Sequence, residues 1–135
     1  MVNTLESPAL LDAPTEEMGP LILVVEDSTT QRRIICSMLI EQIGARTIEA
    51  ADGRAALEGL EHESPALVLT DMVMPELDGL QLVEEVRSQY PMLPVILMTG
   101  SGSEELALRA LQAGAASYVP KSLLKSDLRF AIESV

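Results

Sequence analysis

Five side chains, widely separated along 135 residues, have the types needed for phosphate chemistry: Glu26 and Asp27 side by side, then Asp71, Thr99 and Lys121. Each stands at the end of a short apolar run: Leu23-Val24-Val25 before Glu26, Leu67-Val68-Leu69-Thr70 before Asp71, Ile96-Leu97-Met98 before Thr99, and Val119-Pro120 before Lys121. If those runs are neighbouring strands of one sheet, three carboxylates, a hydroxyl and an ammonium meet at a single edge. Carboxylates gathered in this way repel one another at neutral pH unless a cation sits among them or protons are taken up. A hard divalent ion is the natural occupant, and Mg2+ takes one or two carboxylates while keeping sites for water and phosphate oxygens. Lys121 would supply a point charge for another phosphate oxygen, and the Thr99 hydroxyl can donate to a third. Asp71 is left as the group that could attack phosphorus, since an aspartate can form an acyl phosphate.

The elements that must position these residues are legible as apolar runs alternating with stretches of helical period. Runs at 21–25, 46–50, 66–70, 95–99 and 117–119 read as strands. Three of them are apolar nearly throughout, which suits strands covered on both faces of a parallel sheet. Helices are expected at 28–43, 54–61, 80–89, 103–113 and from 123 or 124 to 135. In the first, Ser28 is the expected N-cap, Ile34, Ile35, Met38, Leu39 and Ile43 share one face, and Gly44 closes the C-terminus. This alternation predicts an α/β fold, a (βα)5 doubly wound, five-stranded parallel sheet of the flavodoxin-like kind with helices on both faces. Ligands of such sheets bind outside the carboxyl ends of the strands, where strand order reverses.

Composition narrows the function further. With 9 Lys+Arg against 21 Asp+Glu, the formal net charge is -12, which disfavours nucleic acid and anionic membrane surfaces as partners. No apolar run approaches the roughly 20 residues of a bilayer span. No basic-then-apolar leader precedes the domain. The single cysteine, Cys36, excludes an internal disulfide and is expected to be inert. The expected location is therefore cytoplasmic. Residues 1–20, with Pro8, Pro14, Gly19 and Pro20 and no Lys or Arg, read as a flexible leader to a domain at 21–135.

The constellation Glu26-Asp27, Asp71, Thr99 and Lys121, with Met74-Pro75 and Asp78-Gly79 after the central aspartate, resembles the receiver domain of two-component response regulators of the chemotaxis-regulator kind. The resemblance implies that Asp71 is the phosphoacceptor, charged by a histidine kinase or histidine phosphotransfer protein, or slowly by acetyl phosphate. It implies Mg2+ as cofactor, with Asp27 and Asp71 as direct ligands, Glu26 acting mainly through water, and the backbone carbonyl of Val73 completing the set. Thr99 and Lys121 would bind the phosphoryl oxygens. Thr99 and Tyr118 would act as the switch that reshapes the face of the fourth helix, fifth strand and fifth helix, where an effector domain or partner protein would read the state. Such a protein is no enzyme beyond self-catalysed phosphotransfer to its own aspartate and slow autodephosphorylation. Any effector domain would lie beyond Val135.

One position departs from the family pattern. Proline usually follows the site lysine, often across a cis bond, whereas Ser122 follows Lys121 here and Pro120 precedes it. A cis bond costs about 2.5–4 kcal/mol without proline, so a trans Lys121-Ser122 bond is expected. Rival functions fail on single residues. A haloacid-dehalogenase-type phosphohydrolase wants a second aspartate two positions after the nucleophile, where Val73 stands. A nucleotide-binding module of the same architecture wants a glycine-rich loop after the first strand, where Glu26-Asp27 stands. His62, between Glu61 and Glu63, reads as a solvated loop residue.

Overall fold

The computed structural model describes residues 19–100 and 104–135. Five strands alternate with five helices: β1 (Leu21–Val25), α1 (Thr29–Ile43), β2 (Arg46–Ala50), α2 (Gly53–His62), β3 (Leu67–Asp71), α3 (Gly79–Gln89), β4 (Val95–Thr99), α4 (Glu104–Ala113), β5 (Ser117–Pro120) and, after a 3-10 turn at Lys121–Leu123, α5 (Leu124–Glu133). All strand pairs are parallel and the order is β2-β1-β3-β4-β5. The expected doubly wound sheet is thus the fold.

From β1 the chain runs outward to β2 and then returns past β1 to β3, so strand order reverses between β1 and β3. Val25 pairs with Thr70 there, which sets Glu26 abreast of Asp71. Asp71 in turn pairs with Met98, one residue short of Thr99.

Two cores hold the sheet. Leu23, Val25, Val68 and Leu97 pack with Ala56 and Leu60 of α2, Leu82, Val83 and Val86 of α3, and Ala110 of α4. Ile22, Val24, Leu69, Ile96 and Met98 point the other way, onto Ile35, Cys36 and Leu39 of α1 and Leu124, Leu128 and Ala131 of α5. The alternation follows from the two-residue period of a strand. Because β3 and β4 are buried at every residue, both faces must be apolar, and each such side chain contributes about 1.5–3 kcal/mol.

Local signals act as expected at most element ends. Ser28 caps α1 by accepting from the Gln31 N–H, and Gly44 ends it in the left-handed region at φ 66°. The Lys121-Ser122 bond is trans, as are all peptide bonds among the described residues.

Other details differ. Ile34, expected on the buried face of α1, is 51% exposed, while Cys36 is buried; the helix rolls so that a small thiol meets the sheet and the branched isoleucine faces outward. Burial pushes that thiol above its ordinary pKa, helped by the Glu49 charge, which fits the inert reading. The third strand begins one residue later than expected and includes Asp71, and His62 is the last residue of α2 rather than part of a loop, though exposed. The fifth helix ends at Glu133 rather than at the chain end. Of the leader expected at 1–20, residues 1–18 lie outside the described part, and Pro20 is already fixed, its carbonyl accepting the Arg46 N–H at 2.9 Å. Residues 101–103, expected as an open loop and a helix start, also lie outside the described part.

Candidate functional site

Asp71 is held rigidly. It ends a strand buried along its whole length, and its Oδ1 accepts the Met72 N–H at 2.8 Å. Its carbonyl accepts from the buried Thr70 hydroxyl at 3.0 Å. The turn after it is closed by the Gly79 N–H donating to the Met72 carbonyl at 2.9 Å. Gly79 cannot be any other residue without displacement, because a Cβ would strike the Asp71 carbonyl and the Met72 Cα. Asp78 then caps α3 with a complete capping box: its side chain accepts the Gln81 N–H, and its own N–H donates to the Gln81 side chain, both at 2.9 Å.

Across the switch point, Glu26 is buried and Asp27 exposed. Carboxylate oxygens of Glu26, Asp27 and Asp71 lie within 4.8 Å of one another, the spacing that oxygen ligands of one hard cation require. Burial pushes the Glu26 carboxyl above its ordinary range and the charge of Asp71 adds to the rise, against the Ser28 N–H and the Lys121 ammonium. Glu26 Oε2 accepts that Ser28 N–H at 3.1 Å. The charge chemistry of this group, three anions with two of them buried, fits a divalent ion.

Lys121 enters from the end of β5 and ties the two halves together, its Nζ 3.1 Å from Glu26 Oε1 and 3.1 Å from Asp71 Oδ1. Its partial burial disfavours the charged form, but Asp71 and Glu26 outweigh this and raise its pKa above the ordinary value. It is therefore an ammonium throughout the neutral range. Thr99, buried at the end of β4, shares the edge one strand away. Val73 follows on the exposed turn, 73% accessible. The structure does not bring Tyr118 into this cluster. It pairs with Leu97, before the strand edge, is 38% exposed, and flanks a cavity with Pro120 and Phe130.

Two residues without a role in the sequence reading join the site. Arg32 donates through Nη1 to the Glu26 carbonyl at 2.7 Å and through Nε to Glu49 Oε1 at 2.8 Å, pinning the acidic loop to β2. Gln31 places its Oε1 3.1 Å from Lys121 Nζ. The signal for both was their place in the first turn of a helix starting at the acidic pair. Nothing in sequence says that Lys121, ninety residues on, arrives beside them.

The family model of the response regulator receiver domain matches residues 22–133. The chain belongs to the response regulator receiver domain family. This receiver domain is 36% identical over 117 residues to a chemotaxis protein CheY homologue of Campylobacter jejuni, spanning 84% of this chain and 90% of that protein. It is 39% identical over 105 residues to the response regulator protein FleR of Pseudomonas aeruginosa, spanning 77% of this chain but only 22% of FleR. Among solved structures, a response regulator receiver domain protein from Clostridium thermocellum superposes with a TM-score of 0.79 at 32% identity, over 85% of this chain and 92% of that one. NtrX from Brucella abortus superposes with a TM-score of 0.81 at 33% identity, over 87% of this receiver and 26% of NtrX. Some relatives are thus of similar length, and others carry the same unit within a much longer chain. Among the described residues no helix is long and apolar enough to cross a membrane.

Proposed function

We propose that this receiver domain accepts a phosphoryl group on Asp71 from a histidine kinase or histidine phosphotransfer protein, with Mg2+ as cofactor. An Asp71 carboxylate oxygen bonds to phosphorus while the bond from phosphorus to the donor imidazole nitrogen breaks. The imidazole leaves with the bonding pair, and an acyl phosphate remains until water hydrolyses it. Asp27 and Asp71, with Glu26 and the Val73 carbonyl beside them, would hold Mg2+, which would supply charge neutralisation for the transferring group. Lys121 binds a phosphoryl oxygen by ion pairing, and Thr99 donates its hydroxyl to another.

Movement of Thr99 toward the phosphoryl group then lets Tyr118 turn, and the face of α4, β5 and α5 changes shape for an effector domain or partner. The domain is no enzyme in the ordinary sense, because its only substrate is its own aspartate. The location that fits this reading of the protein is the cytoplasm.

The observation that supports this reading is the convergence of Glu26, Asp27 and Asp71 within 4.8 Å under the ammonium of Lys121. Incubation with acetyl phosphate and Mg2+ should add one phosphoryl group by intact mass, and Asp71→Asn should abolish it. A mass shift that survives the substitution sinks the assignment.

A further inference from the structure

The Lys121 ammonium has three N–H donors and no other polar atom. Asp71 Oδ1, Glu26 Oε1 and Gln31 Oε1 each lie 3.1 Å from Nζ, so every donor of the resting ammonium has an oxygen. A phosphoryl oxygen on Asp71 can be bound only if one of these is given up. Glu26 stays charged and largely buried, with a side-chain exposure of 2%; the Asp71 oxygen loses its charge once the residue carries phosphorus, but it stays 9% exposed and held by the Met72 N–H, whereas Gln31 is a neutral amide at the exposed rim. A bond from an ammonium to a neutral oxygen is weaker than one to a carboxylate, and water replaces it readily at the rim. Gln31 is the contact that yields.

Why the Gln31 amide is free to reach Lys121 is visible in its own helix. It stands three residues after the N-cap Ser28, the position from which a glutamine side chain normally returns to the N-cap N–H. Gln81 does this in α3, accepting from Asp78 N–H. In α1 the Ser28 N–H is already taken by Glu26 Oε2, so the amide oxygen of Gln31 turns to Lys121 instead.

Resting on the phosphoacceptor reading above, we infer that Gln31 is a positioning residue. It holds the third N–H of the Lys121 ammonium in the unphosphorylated domain and surrenders it to a phosphoryl oxygen. Gln31 thereby steadies the lysine before transfer, at the expense of affinity for the group that displaces it.

Two measurements test this. In metal-free protein without phosphodonor, acetylation of Lys121 by an N-hydroxysuccinimide ester, mapped by peptide mass, should be about two- to ten-fold faster in Gln31→Leu. Gln31→Glu, which still offers an oxygen, should restore the slow rate. Equal rates in wild type and Gln31→Leu would overturn the contact. The second measurement is beryllofluoride affinity at fixed Mg2+, which Gln31→Leu should increase by a similar factor. That gain should vanish when Lys121→Ala is added to both proteins. An unchanged or weaker affinity, or a gain that persists without Lys121, would overturn the surrender step. If wild type and Asp71→Asn behave alike toward beryllofluoride, the acceptor reading has failed, and the acetylation order still decides whether Gln31 holds Lys121.

Discussion

The N-termini of α1 and α3 share one pattern, an oxygen-bearing N-cap with glutamine three residues later, and end in different states. Both follow a strand that carries a site acid, and the N-caps are Ser28 and Asp78. The α3 terminus closes on itself through the reciprocal Asp78–Gln81 capping box. The α1 terminus is opened: Glu26 takes the N-cap N–H and Gln31 is released to a lysine at the end of the edge strand β5. A helix start that satisfies itself serves the fold. One whose local partners are diverted by a buried charge serves the site.

The sharpest way to break this contrast is to remove the diverting charge. Glu26→Gln should raise the Mg2+ concentration needed for half-maximal phosphoryl uptake about ten-fold or more. It should also alter stability. A folded-state pKa above the ordinary value means that stability tied to Glu26 is intact below that ordinary value and lost as pH rises through the raised one. With the shift of Glu26 upward, metal-free wild type should therefore lose ground to Glu26→Gln as pH rises above the ordinary glutamate pKa of about 4.3. Denaturant titrations of both proteins across that rise check it, and parallel curves would count against the burial argument.

A smaller effect is expected on the closed side. Asp78→Ala removes the cap of α3 and should lower stability by about 1 kcal/mol while leaving phosphoryl uptake intact. Gln31→Leu, in the open terminus, should change stability by less than about 0.5 kcal/mol. Equal losses in urea denaturation would show that the two termini are built alike after all.

The smallest change concerns the closed turn itself, where the Val73 side chain is exposed. Val73 has no polar atom to orient an attacking water. Val73→Asn should leave stability within about 0.5 kcal/mol and shorten the acyl-phosphate half-life a few-fold, well below the roughly 100-fold of a positioned general base. A half-life identical to wild type would remove Val73 from the account.

Much of this was legible in the residues. Near-continuous apolar runs at β1, β3 and β4 demanded burial on both faces, and that demand forced the crossover helices and brought the strand ends to one edge. Strand ends then named Glu26, Asp27, Asp71 and Lys121, which the structure gathers. Helix roll was less legible: the period of α1 cannot distinguish Ile34 from Cys36 when both are apolar and adjacent, and close packing against the sheet decided for the smaller. Gln31 and Arg32 were not legible as site residues because their partners, Lys121, the Glu26 carbonyl and Glu49, are fixed by tertiary placement. Hydrophobic pattern carries no information about where a long polar side chain finds its acceptor.

Gly79 sets a limit on how a displacement at Asp71 can spread. Its backbone lies so close to the Asp71 carbonyl that no methyl group fits between them, and its N–H is bonded back to Met72. The Asp71 end of β3 and the first turn of α3 are in effect one plate, with no slack across which either could slide. A displacement at Asp71 would then be taken up on the other flank, where β4 ends at Thr99 and a Cβ on Gly100 would meet nothing within 4 Å among the described residues. A lever needs a fixed bearing beside a free arm, and these two glycines, one crowded and one open, mark which is which.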